Sequence, residues 1–183
     1  MKEGLELYRP SFVFPSVERI PFRDLSGIGI DTILLDVDGT IAPVLGRAHK
    51  ESLAHLCSAV EDGFVRHVCL ISNVGIWPLA LRVYLIAKAN GFASLSCFLP
   101  SSTKPNPRVY ERAMNLLGLD AEEDRQRVLV VGDQLTTDIV FANRVGVRSA
   151  LVPTMPPIPR FKKRKMHKEE ALRDALNILF PYG

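Results

Sequence analysis

Runs of apolar residues that do not alternate with polar ones constrain this chain more than any other feature. They are Ile33-Leu34-Leu35, residues 68–71 and the near-continuous run 127–131. Strand side chains point to opposite faces in turn, so a strand with one solvated face alternates, and a continuous run is a strand covered on both faces. The spacing predicts strands at 32–36, 65–71, 96–99, 127–131 and 148–152. Helices are predicted between them at about 49–62, 77–90, 107–117 and 137–145. Leu53, Leu56 and Val60 form the apolar stripe of the first, Pro78 sits in the first turn of the second, and Gly91, Gly118 and Gly146 follow helix ends. Strands alternating with helices imply βαβ units, hence an α/β fold: one doubly wound, Rossmann-like parallel sheet with helices on both faces. At 183 residues, one such domain buries roughly 70% of its extended-chain surface.

Two flanks stand apart from this pattern. Residues 1–24 carry Pro10, Pro15 and Pro21 between the aromatics Tyr8, Phe12, Phe14 and Phe22, which excludes a long helix and reads as an extended arm. A short helix or turn at 24–30 leads into the first strand. After Pro153, Pro156, Pro157 and Pro159 comes a basic cluster, Arg160, Lys162, Lys163, Arg164, Lys165 and Lys168, then a helix to about residue 180. The expected organisation is an arm at 1–24, a core at 25–159 and a basic, amphipathic tail at 160–183.

Composition excludes several function classes. The net charge of +3 is too small to point to nucleic acid. Cys57, Cys69 and Cys97 are odd in number, widely spaced and without a CxxC pair, so neither a disulfide framework nor a zinc site is expected. No apolar run reaches the ~18 residues of a membrane span. The first residues lack a signal-peptide core, and Glu3, Glu6 and Glu18 argue against an acid-poor transit peptide. The expected location is cytoplasm or an organelle matrix (mitochondrion or plastid).

In open parallel sheets, ligands sit outside the carboxyl ends of the strands, and that is where the polar residues of interest fall. Asp36 and Asp38 end the first strand, ahead of Gly39 and Thr40. Ser72 and Asn73 end the second, Lys104 follows the third, Asp133 ends the fourth, and Asp138 opens the next helix. Each has an ordinary explanation as a turn residue, a helix cap or a solvated charge. Together they suit phosphoryl chemistry. Asp36, Asp133 and a backbone carbonyl are hard oxygen ligands for Mg²⁺, and the Ser72 hydroxyl and Lys104 ammonium can hold phosphoryl oxygens. Which aspartate would act as nucleophile is left open by these residues alone.

The segments DVDGT, the serine ending the second strand, the downstream lysine and GDQLTTD resemble, in order and spacing, the four motifs of the haloacid dehalogenase-like (HAD) phosphatases. The residues SNV (72–74), TKPNP (103–107), GDQLTTDIVFANRVG (132–146) and the Pro/aromatic arm are similar to an uncapped subgroup. That subgroup holds YqeG-like proteins and the mitochondrial and plastid phosphatidylglycerophosphate phosphatases. Gly39 stands where YqeG-like relatives often have Asn. The resemblance implies that Asp36 attacks phosphorus to form an aspartyl-phosphate and that Asp38 protonates the leaving oxygen and then deprotonates water. It implies Mg²⁺ held by Asp36, the Asp38 carbonyl and Asp133, and phosphoryl binding by Ser72, Asn73 and Lys104. Thr40 and Asp138 would support the site.

Between Thr40 and Ser72, and between Ser72 and Lys104, the chain is too short for a cap domain, so the site is expected to be open. An open site suits a lipid headgroup, and the tail, with Leu172, Ala175, Leu176 and Leu179 on one helix face, reads either as peripheral membrane contact through 160–180 or as packing on the core. RNA contact is disfavoured, since only Phe161 could stack. The competing functions are a phosphatase for a soluble phosphomonoester (nucleotide, sugar phosphate or phosphoprotein) and a non-catalytic phosphate- or RNA-binding module.

Overall fold

The computed structural model describes residues 4–44, 46–98, 103–160 and 163–181, with backbone alone at 163 and 164. Six strands, β1 (Phe12–Val13), β2 (Thr32–Leu35), β3 (His67–Asn73), β4 (Ala93–Cys97), β5 (Val128–Gly132) and β6 (Arg148–Leu151), form one sheet in the order β1-β6-β5-β2-β3-β4. Every pairing is parallel. The helices are α1 (Phe22–Gly27), α2 (Lys50–Glu61), α3 (Trp77–Ala89), α4 (Arg108–Leu117), α5 (Val140–Val145) and α6 (Lys163–Leu176). The expected doubly wound α/β sheet is therefore present, and no cap domain stands among the described residues.

Alternation along β2 sorts its side chains into two cores. Ile33 and Leu35 pack with Leu56 of α2, Val83 of α3, and Leu129 and Val131 of β5. On the other face Leu34 packs with Val109 and Met114 of α4, Phe141 of α5, and Val128 and Val130. Burial on both faces is what the unalternating runs require.

The chain winds from β2 outward to β3 and β4, then crosses back to β5 and β6, so the winding direction reverses between β2 and β5. Loops leave a reversal point in opposite directions and open a crevice at the carboxyl edge. Leu35 is in register with Leu70 on one side and Val131 on the other. The residues following β2 and β5 therefore face each other across that crevice.

Several boundaries differ from expectation. Strand β3 runs on through Ser72 and Asn73, which pair with Ser96 and Cys97, where 65–71 was expected. Strand β4 lies at 93–97 instead of 96–99, because an edge strand need not be apolar on both faces and its serines hid it. The predicted helix 137–145 begins earlier, as a wide π turn at Leu135–Ile139 continuing into α5. The arm supplies edge strand β1, whose Phe12 and Val13 pair with Ala150 and Leu151. Phe12 and Phe14 lie half-buried against the first core, and the short helix starts at Phe22, ahead of the expected 24–30. The final helix ends at Leu176, short of residue 180, with Asn177 in the left-handed region at φ 53°.

The tail helix packs on the domain through Leu172 and Leu176, two of the four residues expected on its apolar face. Ala175 is exposed and Leu179 is 86% exposed, while Met166, Glu169 and Leu176 are buried. Leu176 joins Leu135, Ile139 and Leu151 in a third cluster, with Leu172 against it. Glu169 lies on the same packed face, where it meets backbone donors of the π turn. Of the basic cluster, Lys162 and the side chains of Lys163 and Arg164 lie outside the described residues.

Candidate active site

Asp36 follows β2 directly and donates its amide to Val131 O at 2.9 Å. Its carboxylate is buried, accepting from Lys104 Nζ at 2.6 Å on Oδ1 and from Thr40 Oγ1 at 3.1 Å on Oδ2. Lys104 is itself buried and reaches Asp138 Oδ1 at 2.6 Å as well. Burial works against the Lys104 ammonium, but the Asp138 and Asp36 carboxylates outweigh it and hold its pKa above the ordinary lysine range. Burial raises the Asp138 carboxyl above its usual range, with Lys104 pulling the other way.

What places Lys104 so deep is Asn73. Its Oδ1 accepts from Lys104 N at 2.8 Å and its Nδ2 donates to Lys104 O at 2.9 Å. Both ends of the amide are engaged with one residue's backbone, so the end of β3 fixes the loop that delivers the lysine.

The π turn positions the fourth segment. Asp138 N and Ile139 N both donate to Gln134 O, at 2.9 and 3.2 Å, and Gln134 N donates to Asp138 Oδ2 at 3.2 Å. The widened turn aims Asp138 back over β5, where Gly132 leaves room: a Cβ there would stand 2.3 Å from Asp138 Cγ. Gly39 serves Asp133 likewise. At φ +109° it occupies backbone that side-chain-bearing residues avoid, and its Cβ would stand 2.5 Å from Asp133 Oδ2. The Asp38 turn and the Asp133 carboxylate are thus in near contact.

Asp36, Asp133 and Asp138, all buried, each offer a carboxylate oxygen within 4.8 Å of the others. Lys104 pairs with Asp36 and Asp138, and a divalent cation held among the three carboxylates would add to that neutralisation. Hard oxygen donors without nitrogen or sulfur suit Mg²⁺, so the residues present fit the expected ion. The side-chain trio holds Asp138 in the place where the sequence pointed to the Asp38 turn.

Asp38 sits on the rim. Its Oδ1 accepts from Arg82 Nη1 at 2.6 Å and its Oδ2 from Ser72 Oγ at 3.4 Å. Arg82 also donates to Pro43 O at 3.3 Å, tying α3 to the loop after β2. A cleft of about 140 Å³ opens over this floor, lined by Asp36, Asp38, Ser72, Lys104 and Asp138, with Lys165 of α6 at its edge. Lys165 Nζ donates to Thr137 Oγ1 at 3.0 Å.

All eight sequence-selected residues, Asp36, Asp38, Thr40, Ser72, Asn73, Lys104, Asp133 and Asp138, fall on this one edge. Four others were missed. Arg82 left a signal, as the only charge between Trp77 and Ala87. Glu169, which accepts from the amides of Leu135 and Thr136, Arg173, which donates to Asp133 O at 3.0 Å, and Lys165 left none, because their partners lie about 30–40 residues away.

A family model described as HAD-hydrolase-like matches residues 102–155, from the Lys104 loop to just past β6. No curated protein sequence matches the chain. An uncharacterized protein from Corynebacterium glutamicum ATCC 13032 Kitasato superimposes with a TM-score of 0.53 at 15% identity, over 84% of this chain and 100% of that one. For an uncharacterized protein from Listeria monocytogenes serotype 4b the values are 0.51, 14%, 81% and 100%. These two show a shared fold. A HAD phosphatase from Thermococcus onnurineus aligns with a TM-score of 0.42 at 17% identity, over 62% of this chain and 55% of that one. In the stretch 102–155 the chain is similar to HAD-like hydrolases.

Proposed function

We propose that the chain is a Mg²⁺-dependent phosphomonoester hydrolase working through an aspartyl-phosphate on Asp36, and that its substrate is the lipid phosphatidylglycerophosphate, released as phosphatidylglycerol. The observation that carries the hydrolase reading is the Asp36 carboxylate at the cleft floor, held at 2.6 Å by a buried lysine that also grips Asp138. A nucleophile that must not rotate needs such restraint. The Asp36 carboxylate attacks phosphorus, the bond from phosphorus to the leaving oxygen breaks, and Asp38 gives that oxygen a proton. Asp38 then takes a proton from water as the water oxygen attacks phosphorus, which frees inorganic phosphate and restores the Asp36 carboxylate. Ser72 and Lys104 hold the non-bridging oxygens, and Asn73 acts through the Lys104 backbone. Mg²⁺, held by Asp36, Asp133 and the Asp38 turn with Asp138 in support, would neutralise charge developing on the phosphoryl group. The lipid choice rests on the likeness to the uncapped phosphatidylglycerophosphate phosphatases and on the open cleft.

The test is phosphate release from phosphatidylglycerophosphate vesicles and from a panel of soluble phosphomonoesters, with Mg²⁺ or with EDTA. Expected are preference for the lipid, loss of release in EDTA, and a drop of about a thousandfold or more in Asp36→Asn. Preference for a soluble ester overturns the lipid choice, and unchanged turnover in Asp36→Asn overturns the mechanism.

A further inference from the structure

Helix α3 is apolar on both sides. Ala80, Val83 and Ala87 face the core, as expected of a helix covering a sheet. The opposite face should be polar, and on α4 it is, with Arg108, Glu111, Arg112 and Asn115 exposed. On α3 the outward positions are Trp77, Leu81, Tyr84 and Leu85, at successive turns of one stripe. Trp77 is 71% and Leu85 54% exposed, and Phe98, just past edge strand β4, stacks on Trp77 at 6.0 Å. A helix that is apolar all round has its outer face covered by something.

Helix α3 itself bears no carboxylate, and between Asp62 and Glu111 the chain holds no acidic residue. Of the cations in that interval, Lys88 and Arg108 are exposed, whereas Arg66, Arg82 and the buried Lys104 pair with Asp31, Asp38 and the Asp36 and Asp138 carboxylates. Lys88 continues the stripe, with its ammonium 5.8 Å from the centroid of the Tyr84 ring. Leucines flanked by tryptophan, tyrosine and lysine, with no carboxylate, match a surface that is apolar beneath and anionic at the level of its headgroups. The stripe also begins at the catalytic edge. Residues 74–76 are all that separate Asn73 from Trp77, and Arg82, on the inner side of α3, holds the Asp38 carboxylate.

We propose that the outer face of α3, with Phe98 beside it, docks on an anionic lipid bilayer, and that docking brings the cleft to a phosphate carried in that surface. The apolar side of α6 is already spent on the domain, so α3 takes the contact that the basic tail had pointed to. Only the consequence for substrate rests on the phosphatase reading. The docking does not.

Trp77 is the single tryptophan of the chain, so the emission of the intact protein reports this face alone. The full chain is titrated with phosphatidylcholine vesicles containing about a third phosphatidylglycerol, and with pure phosphatidylcholine vesicles. Expected is a blue shift, quenched by brominated acyl chains, that needs the anionic lipid. The double variant Leu81→Glu/Leu85→Glu should bind about tenfold more weakly or worse, with the parent's melting temperature and the parent's hydrolysis of p-nitrophenyl phosphate. An emission spectrum indifferent to vesicles overturns the proposal. So does a blue shift that grows with protein concentration in the absence of lipid and vanishes in the double variant, since the face would then belong to a second copy of the chain. A failed phosphatase reading leaves the binding titration unmoved, which keeps the two apart.

Discussion

Replacing Glu169 by Gln tests whether the tail helix holds the candidate site's edge together. Glu169 is fully buried. One carboxylate oxygen accepts from Leu135 N at 2.7 Å, and the other from Thr136 N at 3.1 Å and from the Thr136 hydroxyl. Gln keeps the shape but puts an NH₂ donor against one of these N–H donors. One buried amide is left unsatisfied, at about 1–3 kcal/mol, and the remaining bonds lose a charged acceptor, roughly 1 kcal/mol more. A total near 3 kcal/mol lowers the melting temperature of a domain this size by roughly 6–12 °C. Activity should fall with it, because the loosened turn lies between Asp133 and Asp138. Calorimetry gives the first quantity, urea unfolding with an unchanged slope confirms that it is stability, and phosphate release gives the second. A variant within about 0.5 kcal/mol of the parent would refute the claim that this contact anchors the turn.

Three further outcomes follow from the site and its surroundings. Gly39→Ala forces the Asp38 turn and the Asp133 carboxylate apart, so activity should drop on the order of 100-fold and Mg²⁺ should no longer raise the melting temperature. A variant still stabilised by Mg²⁺ as the parent is would disprove the near contact. Lys104→Met leaves Asp36 and Asp138 buried without their ammonium and should cost about 3–5 kcal/mol in metal-free buffer, read from the denaturant midpoint; a loss below about 1 kcal/mol would mean that the ion pairs contribute little. Burial pushes the Glu18 carboxyl up, but hydrogen bonds from Ser16, Ser52, its own backbone and His49 outweigh that and bring it from 4.5 to about 2. A folded pKa below the unfolded one contributes stability that is complete above pH 4.5 and lost as pH falls toward 2. Melting temperatures across that window should slope less in Glu18→Gln, and equal slopes would rule Glu18 out.

The sequence by itself determined the fold class and the strand-end edge on which the candidate site residues gather, because both rest on local signals. An unbroken apolar run such as Ile33-Leu34-Leu35 has no stable place except between two helical layers, and parallel strands put every strand-end carboxylate on one rim. Asp36, Ser72, Lys104 and Asp133 could be chosen without coordinates for that reason. Tertiary structure alone decided what depends on partners distant in the chain. Asn73 reads as a cap or a ligand until it is seen gripping the Lys104 backbone. Glu169 looks like any surface glutamate on a basic helix, although it shares the packed face of Leu172 and Leu176. Helical periodicity tells which residues share a side, but burial of a charged group is settled by whether unsatisfied donors await it, and those donors, on Leu135 and Thr136, belong to a turn more than thirty residues earlier.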